Sequence, residues 1–192
     1  MSSLTRWIAI SSLTLLSSLA HAGSNYFGGS LGIGNGKCTG CNIDNGFGMR
    51  FYGGHEFNRN FSFEGGFGFV QAEEAFPGLK LTYTQKVFDL TAIASLPVSQ
   101  FFSLFVRGGL GVVVLDGEWE ADDGTTAGLD GGNSVDAIYG FGATYQLANK
   151  ATLRFEYSSM GKESSHYDST LGYDVLDTID ASMTTVSYQV PF

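Results

Sequence analysis

The chain has 192 residues with 27 Gly, 16 Phe, 9 Tyr and only 3 Pro, and its Lys+Arg 10 against Asp+Glu 19 gives a formal charge of −9. That charge argues against nucleic-acid and polyanionic partners. Aromatic residues favour strands and glycines weaken helices, and no stretch has a helical apolar period, so an all-β chain is expected.

At the N-terminus, Arg6 precedes the apolar run Trp7 to Leu19 and the small-x-small sequence Ala20-His21-Ala22, which reads as a secretory signal peptide over residues 1–22. The run is interrupted by serines and is shorter than the roughly 20 apolar residues of a membrane helix. Residues 23–192 are then expected to form one domain.

Eight extended segments follow, separated alternately by tight turns and longer polar connections. Asn58-Arg59-Asn60, Pro97 to Gln100 and Ala148-Asn149-Lys150 are the tight turns. Asn35 to Asn45, Gln71 to Leu79, Asp116 to Ser134 and Met160 to Asp180 are expected as long loops. Short turns at one rim and long loops at the other describe an eight-stranded antiparallel up-and-down transmembrane β-barrel.

Strand side chains alternate faces, so each segment can be tested for a face compatible with lipid. The first sets Phe27, Gly29, Leu31 and Ile33 against Gly28, Ser30, Gly32 and Gly34. In the second, Phe47, Met49, Phe51 and Phe57 oppose Arg50, Tyr52 and Glu56. In the third, Phe61, Phe63, Phe67 and Phe69 oppose Ser62, Glu64, Gly66 and Gly68. The fourth opposes Phe88, Leu90, Ala92, Ala94 and Leu96 to Gln85, Asp89, Thr91 and Ser95, with Ile93 as an inward exception. Lys86 falls on its apolar face, early enough for the stem to snorkel. The fifth sets Leu104, Val106, Leu110 and Val112 against Ser103, Arg107 and glycines. The sixth sets Tyr139, Phe141 and Tyr145 against Asp136, Thr144 and Gln146, and the seventh sets Leu153, Phe155 and Tyr157 against Arg154, Glu156 and Ser158. In the last, Val186, Tyr188, Val190 and Phe192 oppose Ser187 and Gln189, a terminal pattern expected to serve as the signal read by the barrel-assembly machinery.

The charges Arg50, Glu64, Asp89, Arg107, Arg154 and Glu156 always fall opposite the apolar row. An Arg facing lipid at the bilayer midplane costs about 2–4 kcal/mol, so a spanning chain must turn these six inward as a lumenal charge network. A soluble lipocalin-like barrel would reverse the faces, exposing Arg154 and Glu156 and burying the Phe rings. The terminal Phe192 and the small residues opposite the aromatics argue against it.

At this point the sequence resembles the OmpA-type outer-membrane barrel family over all of residues 23–192. The stretches that carry the resemblance are Asn25 to Gly32, Phe51 to Phe67, Thr152 to Tyr157 and Val186-Ser187-Tyr188. It implies a Gram-negative outer-membrane protein with periplasmic termini, in contact with outer-membrane lipids and lipopolysaccharide. In the family's best-known member a lumenal salt-bridge gate includes positions matching Glu64 and Arg154, while its lysine and second glutamate correspond here to Ile93 and Thr144. No peptidoglycan-binding domain follows Phe192, so cell-wall tethering is not expected.

Cys38-Thr39-Gly40-Cys41 has redox C-x-x-C spacing but lies outside any βαβ context, and a structural disulfide is the favoured reading. The resemblance also implies a cysteine pair in this connection. The acids Asp116, Glu118, Glu120, Asp122, Asp123 and Asp130 lack a calcium-loop pattern and read as a solvated surface, available for a host or other cell-surface partner or for divalent bridging to lipopolysaccharide. The run Ser164-Ser165-His166-Tyr167-Asp168 contains the residue types of a small lipid A deacylase barrel without its His-x-Ser-Asn pattern. The glycines around Gly28 and Gly32 lack the following helix of a phosphate cradle. No catalytic residue, metal or cofactor is expected. The two functions that remain are a non-enzymatic structural or surface-interaction barrel and a small porin-like channel.

Overall fold

A computed structural model describes residues 23–38, 41–76, 79–122, 124–129, 132–166 and 176–192. The strands are β1 (Ser24–Cys38), β2 (Cys41–Asn58), β3 (Phe61–Phe76), β4 (Leu79–Pro97), β5 (Phe102–Ala121), β6 (Thr126–Leu129), β7 (Asn133–Gln146), β8 (Thr152–His166) and β9 (Leu176–Pro191). Every neighbouring pair is antiparallel. The β1–β9 and β4–β5 pairings close the ring, and β6 is a short outer strand added to β5. The barrel therefore has eight strands closed into a ring, the condition for crossing lipid without an open sheet edge.

The faces follow the period-two expectation. Phe27, Leu31, Phe51, Phe63, Phe88, Leu110, Phe141, Phe155 and Val186 are exposed on the outside, while Tyr52, Glu64, Thr91, Arg107 and Ser187 are buried inside. The outer rings pair across strands, with Phe67 and Phe88 centroids 4.7 Å apart. Phe192 joins the end of the chain to its beginning: its amide donates to Asn25 O at 2.9 Å and its ring lies 6.0 Å from Phe27. One rim has the tight turns, where Asn58 Oδ1 accepts the amides of Asn60 at 2.8 Å and Phe61 at 3.0 Å, and Lys150 adopts φ 67.

At the other rim the structure differs from expectation. Most of the segments expected as long loops are strand: the β1–β2 ladder runs up to Cys38–Cys41, β3–β4 to Phe76–Leu79, and β4–β5 to Leu79–Ala121. With 19 residues in β4 and 20 in β5, these strands are about twice the 9–11 residues a spanning strand needs. Polar alternation continues the hydrogen-bond ladder past the lipid belt. Two ladders stop early, β2–β3 at Phe47–Gln71 and β7–β8 at Gly140–Ser158, so the extension divides into two groups of strands. Lys86 sits where the belt ends, with Nζ 2.6 Å from Asp116 Oδ2.

Leu90 and Leu110 are opposed outward residues within the belt. Leu90→Arg should lower the unfolding free energy from lipid by about 2–4 kcal/mol in reversible urea titration, whereas Glu118→Arg, on the extension, should leave the midpoint unchanged.

Candidate functional site in the lumen

All six charges named from the sequence meet in one layer of the lumen. β2 supplies Arg50, β3 Glu64, β4 Asp89, β5 Arg107, and β8 both Arg154 and Glu156, every side chain at most 5% exposed. Glu64 is the hub: Oε1 accepts from Arg50 Nη1 at 2.7 Å, and Oε2 accepts from Arg154 Nη1 at 2.7 Å and from Tyr26 Oη at 3.2 Å. Arg50 also holds Asp89 bidentately, through Nε at 2.9 Å and Nη2 at 2.7 Å. Arg154 reaches on to Glu156, whose other oxygen lies 2.8 Å from Arg107 Nε. Three guanidinium groups thus balance three carboxylates.

Aromatic faces and a glycine complete the packing. Arg50 and Arg154 lie 5.0 and 5.1 Å from the Tyr52 ring centroid, and Arg154 lies 4.4 Å from that of Phe105. A Cβ on Gly66 would come within 2.5 Å of Arg50 Nη2, so only glycine leaves room there for the guanidinium. Arg107 is the looser member, paired by charge while its nitrogens make no directed hydrogen bond among the described residues. Ile93 and Thr144, the positions expected to complete a gate, do not join the layer; they line a cavity of about 440 Å³ that opens at the tight-turn rim below it. Glu64 and Arg154 pair with each other, and find their further partners in Arg50 and Arg107 for Glu64 and in Glu156 for Arg154.

Immediately beyond the charges, toward the extended rim, is a second layer that the sequence reading missed. Val70, Val87, Val113, Ile138, Met160, Ala181 and Met183 point inward, form one cluster and are 0–1% exposed. The lumen is therefore not lined by the polar and charged row alone that the sequence reading placed there. The signal lay in continuing the inward phase past the last charge, from Asp89 to Val87 and from Glu156 through Ser158 to Met160. The uninterrupted Val112-Val113-Val114 concealed that phase on β5.

The remaining candidates lie apart from this site. Cys38 and Cys41 are the last backbone partners of the β1–β2 hairpin, a pairing whose usual Cα separation suits a disulfide, and their side chains fall outside the described residues. His166 ends β8 opposite Leu176, while Tyr167 and Asp168, and with them the Ser/His/Asp grouping, lie outside the described residues, as does the leader at 1–22. His55 Nδ1 contacts Asn25 Oδ1 at 2.8 Å near the tight-turn rim. Asp116, Glu118, Glu120 and Asp122 are exposed on and just beyond the β5 extension, with Asp123 and Asp130 outside the described residues. No three acidic, histidine or cysteine side chains gather as a metal site among the described residues. Tyr188, Val190 and Phe192 occupy the outward face of β9 and the end of the chain.

The comparisons agree with this architecture. The profile of the family described as outer membrane protein beta-barrel domain matches residues 8–190, so the chain belongs to that family of Gram-negative outer-membrane barrels. Neisserial surface protein A is similar in fold, with TM-score 0.65 at 10% identity over 90% of this chain and 100% of that one. Ail, the attachment invasion locus protein of Yersinia pestis, gives 0.53 at 15% identity over 88% and 97%. The outer membrane protein AlkL gives 0.51 at 13% identity over 88% and 90%. No curated protein sequence matches the chain.

Removing one partner from a buried ionic group leaves its mates uncompensated, a change that costs about 3–5 kcal/mol. Glu64→Met should destabilise the barrel by that amount, and Arg154→Met likewise. The double variant should lose less than the sum of the two, as read by a double-mutant cycle in reversible unfolding.

Proposed function

We propose that the protein is a non-enzymatic barrel with a structural and surface-interaction role in the outer membrane, its lumen closed and its strand extensions serving as the contact surface. The observation that carries this reading is the stacking of two complementary closures. A neutral layer of paired charges fills the middle of an eight-stranded ring, which is just wide enough for side chains to occupy. An apolar layer then lies across the lumen beside it, with Gln85 and Tyr83 buried next to it. A hydrophobic constriction excludes water and the ions that travel with it. The 440 Å³ cavity ends at these layers, with Tyr26 and Arg154 among its lining residues, and is a vestibule rather than a passage.

The contact surface is acidic. Asp116, Glu118 and Glu120 alternate along one face of β5, with Lys80 paired to Glu73 at 2.8 Å beside them. This face suits cationic surfaces and cation-bridged lipopolysaccharide, and repels polyanions. It differs in that respect from Ail, which has been solved with the heparin analogue sucrose octasulfate. Assembly through the barrel machinery, with Tyr188, Val190 and Phe192 as its signal, completes the proposal. The second class of function, a porin-like channel, requires both layers to part.

Proteoliposomes containing the refolded chain should not swell in isotonic arabinose, and cells lacking the protein should lose detergent resistance with small-solute uptake unchanged. Swelling at a rate comparable with a general porin would replace this reading with the channel.

A further inference from the structure

The apolar layer is built around an irregularity in β8. Its register with β9 shifts between Ser159 and Lys162, and Gly161 adopts φ +85. Ser158, Ser159, Met160 and Gly161 are all buried, where a regular strand would turn every second residue outward. A Cβ on Gly68 of β3 would lie 2.8 Å from Met160 Cε, so this side chain abuts the opposite wall: in the ring β3 is four strands from β8 in either direction. On β4, Gln85 Nε2 donates to Met160 O at 2.9 Å and to Gly161 O at 3.3 Å, again across the lumen. A Cβ on Gly161 would lie 2.7 Å from Val113 Cγ2 of β5, and the positive φ independently favours glycine there.

The wall next to the bulge loses its ladder in return. The β7–β8 pairing ends at Gly140–Ser158 although both strands continue. Side chains of β7 take over: Asp136 Oδ2 accepts the Lys162 amide at 2.5 Å, and Ser134 Oγ donates to Lys162 O at 3.1 Å. A strand that merely lined the lumen would need neither these tethers nor the reach of Gln85. Backbone held by side chains, beside a lapse in the ladder, is a unit that can open without unzipping its neighbours.

We propose that the β8 bulge is a transluminal plug. It is a piece of the wall folded across the barrel, tethered by Gln85 on the far side and Asp136 on the near side, and its release joins the vestibule to the extended rim. This proposal rests on the closed-lumen reading above and adds that the closure is carried by one displaceable element rather than by the ring as a whole. Release requires no change in the charge layer's pairing partners, because Arg154 and Glu156 lie below Ser158 on the regularly paired part of β8.

The test compares the refolded full chain with a Gln85→Leu/Asp136→Ala variant in planar bilayers, with folding verified by heat-modifiable migration and amide exchange read at Lys162. The wild type should be silent. The variant should give discrete conductance steps, with Lys162 exchange at least tenfold faster and the Leu110 amide unchanged. A folded variant that stays silent overturns the plug, whether or not Lys162 exchange rises. Steps from the variant with Lys162 exchange unchanged place the path elsewhere and also overturn it. Conduction by the wild type overturns the closed-lumen reading itself, and the plug with it. Should the double variant fail to fold, the single variants Gln85→Leu and Asp136→Ala serve the same purpose, each cutting one tether: steps from either support the plug, and silence from both folded variants overturns it.

Discussion

The constraint behind every feature of this molecule is that a chain in lipid must satisfy its backbone hydrogen bonds within itself. Closing β1 onto β9 meets that requirement with eight strands. Closure at this strand number fixes the second problem, because it leaves a narrow lumen whose contents must be packed as carefully as any core. The lipid face needs only apolar character. The inner face must match in shape and charge across eight strands, and the chain's individuality lies there.

Two solutions to that packing problem are stacked on one another. In the lower layer, three carboxylates and three guanidinium groups neutralise one another within the ring, and Glu64 touches members from three other strands. Such a network is weak evidence for net stability, since apolar side chains of equal volume can do as well. It does punish misregistration, because a strand slipped by one residue would turn its charge to lipid. In the upper layer, Met160 and its neighbours fill the space by shape; Gly68 leaves room there for Met160, as Gly66 does for Arg50 in the layer below. The abundance of glycine inside the barrel follows from side chains crossing a space only a few residues wide.

The faces of the strands were legible because a period of two, marked by Phe on one side and charge on the other, survives in a single sequence. The same pattern put all six charges indoors, though most of their partners were not legible: Glu64 binds Arg154 directly and also meets Arg50 on β2 and Arg107 on β5, pairings that depend on ring geometry. The strand extensions were read as loops because, beyond the lipid, polar alternation resembles a polar connection, and nothing local distinguishes a laddered Glu118 from a solvated one. The apolar layer was hidden where Val112, Val113 and Val114 erase the alternation. The bulge could not be anticipated at all, since Gln85 meets Met160 across 75 residues of sequence and Gly161 looks like any other glycine of the chain.

The central claim is that the lumen is dry between the charge layer and the extended rim. Water-to-methyl nuclear Overhauser contacts in the refolded barrel, with Val, Ile, Met and Thr methyls selectively labelled, measure that directly. The account predicts contacts with water for Thr144 and Thr152 in the vestibule and none for Val87, Val113, Ile138 and Met160. Water contacts at those four methyls equal to those in the vestibule would contradict it.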